Sequence, residues 1–287
     1  MRPRIVHTLD AWSGTELLGW LVPDPAFVYA LAMAVVVVVF VRRSHVDHLD
    51  RVHALGAAIW GMIGGLLGAR IFFLLQHLHL VATSPSIVLD LNGGTVSWGA
   101  SLGGTVAFIL YLHAKRQAVI RFLDVLASCL GLGPFIGRWA CFLNGDDYGT
   151  LSDLPWAVAF PHGSFPFAAQ AQAALIDPLA PVSLPVHPVQ LYLSLKGLVL
   201  FVVCTALWKR YALPHGLLFC IYWGLFAVAR FMLEFLRGDV SRGFVGGLSV
   251  GQAMSLAILI VSGAAMILLV ARRPVPVFTP KPLAKQS

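Results

Sequence analysis

Charge is what this sequence has least of. Of its 287 residues only 20 are Lys or Arg and 13 are Asp or Glu, so 11% of the chain is charged, less than half the roughly 25% of a soluble domain. That shortage excludes an ordinary water-soluble protein, and intrinsic disorder and nucleic-acid binding fall with it. Cysteine is scarce as well: Cys129, Cys141, Cys204 and Cys220 stand apart in apolar stretches, a spacing that signals neither a disulfide framework nor a zinc site. What fills the chain is apolar residues, 58% of the total. Most of it must therefore face lipid, which does not penalise apolar exposure.

Apolar runs long enough to cross a bilayer occur near residues 25–41, 54–75, 98–112, 122–143, 187–208, 216–235 and 248–270. The expected fold is an all-α polytopic membrane protein of about seven transmembrane helices, forming a single integral membrane domain over residues 1–287. The first run follows a segment holding Asp10, Glu16 and Asp24 and precedes no small-residue cleavage site, so it reads as a retained span and not a signal peptide. Residues 1–24, with Leu9, Trp12, Leu17, Leu18 and Trp20, suit a helix lying in the outer interface.

Basic residues set the orientation. With the N-terminus outside, Arg42, Arg43, Arg51, Lys115, Arg116, Arg121, Lys209, Arg210, Arg272, Arg273, Lys281 and Lys285 all fall on the inner side, the last four in a cytoplasmic tail at 272–287. Only Arg2, Arg4, Arg237 and Arg242 fall outside, and the loops 76–97 and 144–186 carry no Lys or Arg. The longer loop is rich in Pro, Phe and Trp, too apolar for disorder, and is expected to fold as a small outer cap.

Four basic residues are left inside spans: Arg70, Arg138, Lys196 and Arg230. A cation near the middle of a helix costs roughly 2.5–3.5 kcal/mol on insertion, so each needs a reason. Arg70 follows Gly61, Gly64, Gly65 and Gly68, a small-residue ladder that lets a second helix approach closely. Arg230 has Glu234 one turn on, the spacing of a helical ion pair. For Lys196, snorkelling, an internal pair and a role in the site all remain open. Arg138 is followed within a few residues by Asn144, Asp146, Asp147 and Tyr148, while His187, Gln190 and Tyr192 open the fifth run and Ser249 and Gln252 the seventh. Guanidiniums gathered at one depth with such polar neighbours make a site for a phosphate, and the phosphate a membrane offers is a phospholipid headgroup. Gly99-Ala100-Ser101-Leu102-Gly103 fits the pattern of a hydrolase nucleophile elbow, but that motif works on a strand-to-helix turn and here it opens a helix.

The run Gly137-Arg138-Trp139-Ala140-Cys141-Phe142-Leu143-Asn144-Gly145-Asp146-Asp147-Tyr148-Gly149 resembles the signature of bacterial prolipoprotein diacylglyceryl transferases. Further blocks agree in order: Gly68-Ala69-Arg70, Leu102-Gly103-Gly104, His187-Pro188-Val189-Gln190-Leu191-Tyr192, Arg230 to Arg237, and Leu248-Ser249-Val250-Gly251-Gln252. The chain departs from the family pattern in carrying Leu102 where a histidine is usual, Cys141 for an asparagine, Asp146 for a glutamate and Leu193 for an acid.

The resemblance implies an enzyme of the bacterial inner membrane whose active site faces the outer leaflet. It would move a diacylglyceryl group from phosphatidylglycerol to the lipobox cysteine of a lipoprotein precursor, with no cofactor or metal. Arg138 and Arg230 would hold the phosphate as catalytic residues. Asn144 and Asp146 would shape the headgroup pocket, with Glu234, Arg237, His187, Gln190 and Tyr192 around it, and Gly103 and Gly104 would let lipid or peptide approach the backbone. The base stays open among Asp146, Asp147, His162 and His187, and a thiolate stabilised by the arginines would need none. The missing histidine leaves an alternative, a non-catalytic lipid-binding or transport protein on the same scaffold.

Overall fold

A computed structural model describes residues 24–88, 97–239 and 243–271; the expected interfacial helix and the basic tail lie outside these. The elements in chain order are α1 (Pro25–Val46), α2 (Arg51–Gln76), α3 (Leu78–Thr83), a 3-10 turn (Pro85–Val88), α4 (Ser97–Ala114), α5 (Val119–Leu130), α6 (Leu132–Asn144), α7 (Phe165–Gln172), α8 (Val189–Arg210), α9 (Leu217–Glu234), a short hairpin of β1 (Phe244–Val245) with β2 (Leu248–Ser249), and α10 (Val250–Ala271). Every apolar run is helical. Helices α1, α2, α8, α9 and α10 are long and apolar enough to cross a membrane, α5 and α6 together make a sixth crossing if counted as one bent span, and α4 is a shorter apolar helix. Leu66, Ile260, Val261 and Ile267 are each at least 70% exposed, an outward apolar surface that suits lipid and not water. The protein is a polytopic membrane protein.

The fourth run, read from the sequence as one continuous span, is broken instead. Its two halves meet at 43° around Gly131. Pro134, in the first turn of α6, cannot donate to the preceding turn. Gly131 lets the break press against α8, since a Cβ there would stand 2.5 Å from Gly197 O.

The chain divides into two compact units, one spanning Val37–Val125 and one built from the chain on either side of it. In the first, α2 and α4 lie along each other through their glycines. A Cβ on Gly68 would stand 2.3 Å from Gly99 O, and one on Gly103 2.4 Å from Gly64 O. The ladder seen in the sequence is thus one side of a two-sided seam. Arg70, in this unit, donates to Ile87 O and stacks on Phe73. At the start of α2, Asp50 accepts from Val52 N at 2.7 Å and His53 N at 3.3 Å, satisfying two amides that the helix leaves unpaired.

In the second unit, α8 packs against both α6 and α9, and α9 against α10. The segment between α6 and α8 folds over its own small core of Tyr148, Phe160 and Val186. Isolated bridges join Leu151 and Val158 to Val186 and Pro161 to Val182, and α7 starts at Ser164, whose Oγ accepts from Phe167 N. The apolar 144–186 loop is therefore a folded layer held by its own aromatic residues.

Candidate active site

The polar centre of the second unit begins where α6 stops. Gly145 takes a left-handed conformation (φ 75°) and closes the helix, its amide donating to Cys141 O and Phe142 O. Asp147, also left-handed at φ 53°, turns the chain again, a conformation that aspartate tolerates better than most residues. Residues 148–150 then run between two other segments. Gly149 N donates to His187 O and His187 N to Thr150 O on one side, while Thr150 N donates to Leu236 O and Gly238 N to Tyr148 O on the other. Gly238 has no room for a side chain: its Cβ would lie 2.4 Å from Gly149 O. This pairing lays the chain after α9 against the chain after α6.

Asp147 and Arg237 meet as a result, 90 positions apart. Arg237 donates through Nη2 to Asp147 Oδ1 at 2.5 Å, and through Nε and Nη2 to both oxygens of Asp239 at 2.7 and 2.6 Å. Asp147 Oδ2 accepts from Arg138 Nη1. One carboxylate thus ties an arginine of α6 to one in the segment that follows α9. Burial raises the pKa of Asp147, but the Arg138 and Arg237 guanidiniums outweigh it and hold this carboxyl below the ordinary range. Burial likewise disfavours the charge on Arg237, and its bonds to Asp239 and Asp147 reverse that, raising its pKa. Arg138 and Asp147 each keep 27% of their side-chain surface exposed, against 9% for Arg237 and Asp239. The accessible edge of the cluster is therefore at Arg138.

Arg230, one turn before the end of α9, pairs with Glu234 at 2.8 Å. Glu234 is fixed from the other side by Ser249 Oγ at 2.9 Å and by Gly251, where a Cβ would come within 2.8 Å of the carboxylate. Ser249 and Gln252, grouped in the sequence with the polar residues around the arginines, form a capping box: Ser249 Oγ accepts from Gln252 N at 3.1 Å and Gln252 Oε1 accepts from Ser249 N at 3.0 Å. They hold the start of α10 beneath Glu234.

Asn144 donates to Asp146 Oδ2 at 2.8 Å, Gln190 Nε2 to Asp146 O at 2.6 Å, and the buried Asp146 Oδ1 has no hydrogen-bond partner among the described residues. Burial, and then the Asp147 carboxylate against the opposing bond from Asn144, raise the pKa of Asp146. Cys141 Sγ, Asp146 and Asp147 present ligand atoms within 4.8 Å of one another. Both oxygens of Asp147 are already taken by arginines, whose charge repels a cation. The arrangement suits an anion better than a metal.

A family profile described as prolipoprotein diacylglyceryl transferase matches residues 25–269. The chain belongs to that family. It is 32% identical to the phosphatidylglycerol--prolipoprotein diacylglyceryl transferase of Clostridium tetani over 86% of this chain and 92% of the relative. It is also 32% identical to the protein of the same name from Rhodospirillum rubrum over 83% of each chain, and 29% identical to that of Thermotoga maritima over 71% of this chain and 66% of the relative.

Against the family pattern, the residues expected from the sequence fall into three groups. Arg138, Arg230, Asn144, Asp146, Gln190, Glu234 and Arg237 all lie where the ends of α6 and α9 and the start of α8 meet the network just described. His187 and Tyr192 bond to each other at 3.3 Å, and Trp156 Nε1 donates to Tyr192 Oη at 2.7 Å, a cluster tied to the folded layer. Gly103 and Gly104, expected to let substrate approach, have their Cα faces against Gly64, Gly68 and Gly61 of α2, a close approach to a helix. Leu102, at the position of the family histidine, is 53% exposed. Cys141, where the family pattern has an asparagine, touches Tyr29 Oη at 3.1 Å and accepts from Arg138 Nη1 at 3.6 Å. Sequence reading missed Tyr29 and Asp239. Asp239 had a usable signal, an acid two residues from Arg237 in a chain with only 13 acids; Tyr29, 112 positions from its partner, had none.

Proposed function

We propose that this protein transfers the diacylglyceryl group of phosphatidylglycerol to the lipobox cysteine of lipoprotein precursors, at a site facing the outer leaflet of a bacterial inner membrane. The reading includes seven spans, an outward N-terminus and an inward basic tail, in keeping with the asymmetry of Lys and Arg. The observation that carries it is the Arg138–Asp147–Arg237–Asp239 network beside Arg230–Glu234, an anion site within a membrane protein of this family.

In this reaction the substrate thiolate attacks the glyceryl carbon that bears the phosphate. A C–S bond forms, the C–O bond breaks and glycerol phosphate departs with the electron pair. Arg138, at the accessible edge, and Arg230 neutralise the charge growing on the leaving oxygen. Asp147 and Arg237 keep the Arg138 guanidinium aimed, and Glu234 does the same for Arg230. Of the four bases left open by the sequence, Asp147 is bound by two arginines, His162 lies against Pro178 O at 3.1 Å and His187 against Tyr192. Asp146 keeps an oxygen with no hydrogen-bond partner among the described residues and a raised pKa, and it is the group we place as acceptor of the thiol proton.

The test is purified protein in phosphatidylglycerol vesicles with a lipobox peptide, the thioether product being read by mass spectrometry. Product is expected with phosphatidylglycerol and not with phosphatidylethanolamine, and Arg138→Ala abolishes it. Lipid that co-purifies without any product would instead make the protein a binder.

A further inference from the structure

Lys196 plays no part in the network above, yet it lies beside it. The residue is 9% exposed, two turns into α8, and no carboxylate among the described residues pairs with it. Its Nζ rests 3.7 Å from the centre of the Phe226 ring. Among the described residues, the charged groups close enough to act on it are Arg138 and Arg230, both of its own sign. Helix geometry explains the closeness. Gly197, the next residue, is pressed against Phe135 N, where a Cβ would stand 2.6 Å away, and Arg138 follows Phe135 by three residues. Phe226 precedes Arg230 by one turn on α9. Lys196 thus sits about one helical turn beneath both arginines.

Each arginine has its own carboxylate, Asp147 or Glu234; among the described residues Lys196 has an aromatic face in place of one, which compensates a buried ammonium in part. An anion seated at Arg138 and Arg230 would supply the missing charge from above, within reach of the flexible lysine stem. We propose that Lys196 is a third cation of the phosphate site and binds the phosphate ester from the membrane-buried side. The proposal rests on the transferase reading for the identity of the ligand, a phosphate ester presented by the donor lipid or by the glycerol phosphate released from it.

The experiment compares the full-length protein with Lys196→Met and Lys196→Arg. Loss of a charge-assisted contact predicts an apparent KM for phosphatidylglycerol raised about tenfold or more in Lys196→Met, with kcat changed less than about twofold and recovery in Lys196→Arg. Inhibition by added glycerol phosphate separates the two sources. Weakening there in parallel means that the free phosphate ester is held too, and no change there means the contact is made with the lipid alone; either supports the proposal once KM has risen. A KM unchanged in Lys196→Met overturns it. Direct lipid binding, measured by native mass spectrometry without peptide, does not depend on turnover. Should the wild type transfer nothing, the transferase reading fails, while weaker binding of phosphatidylglycerol by Lys196→Met would still support the cation site. Equal weakening for diacylglycerol, which lacks the phosphate, makes Lys196 a packing residue and overturns the proposal. If Lys196→Met does not survive purification, Lys196→Gln carries the same comparisons.

Discussion

Alanine placed along the α2–α4 seam separates a packing role for its glycines from a substrate role. A Cβ would meet backbone oxygen at 2.4 Å at Gly103, 2.3 Å at Gly68 and 2.9 Å at Gly104, but at 3.4 Å at Gly65, while at Gly61 the nearest atoms are 3.6 Å away. Ordinary contact begins near 3.4 Å, so Gly103→Ala forces the helices apart by about 1 Å, an overpacking cost of about 1–3 kcal/mol. Alanine returns roughly 0.5–1 kcal/mol of helix propensity. The net expectation is a loss of about 1–2 kcal/mol for Gly103→Ala and Gly68→Ala, a smaller loss for Gly104→Ala, and no loss or a slight gain for Gly65→Ala and Gly61→Ala. Thermal unfolding in detergent, followed by scanning fluorimetry, gives the ranking, and transferase kinetics on the same samples give KM. A Gly103→Ala protein as stable as the wild type but with a raised KM for phosphatidylglycerol would refute the packing account and return Gly103 to the substrate site.

Two further outcomes follow from the second unit. Asp147 has a folded pKa below its unfolded value, so its stabilisation is complete above the unfolded value of about 3.9 and is lost as pH falls through the lower folded one. Melting temperature should drop in that acid range for the wild type and drop less steeply for Asp147→Asn; parallel curves would mean that the arginines do not hold this carboxylate. Ser249→Ala removes both a helix cap and a bond to Glu234, for a loss of about 1–3 kcal/mol with reduced transfer. Ser249→Thr, which keeps the hydroxyl, should retain most of both, and a Thr variant as impaired as the Ala variant would remove the hydroxyl from the explanation.

Much of the fold was legible because a bilayer imposes long apolar runs: five became helices long enough to cross, the fourth a bent pair and the third a shorter apolar helix. The glycine ladder before Arg70 was legible for a related reason, since close helix approach needs small residues at a fixed spacing. The break between α5 and α6 escaped, because Gly131 and Pro134 lie within a run apolar enough overall to read as one span, and only the passage of α8 past Gly131 makes the bend useful. At the site, Arg138 and Arg230 stood out as cations where cations are expensive, and Glu234 as a partner one turn away.

That this chain lives in a membrane, and which charges needed a purpose there, could be read from the order of its residues, since the cost of burying a charge in lipid depends on composition and spacing along one helix. Tertiary structure decided what those charges do. It brought Arg237 to Asp147 across 90 positions and Tyr29 to Cys141 across 112, set Gly103 against α2, and laid Lys196 on the Phe226 ring. Such pairings depend on which helix ends and loops meet in space, and hydropathy, which scores each residue alone, contains no trace of them.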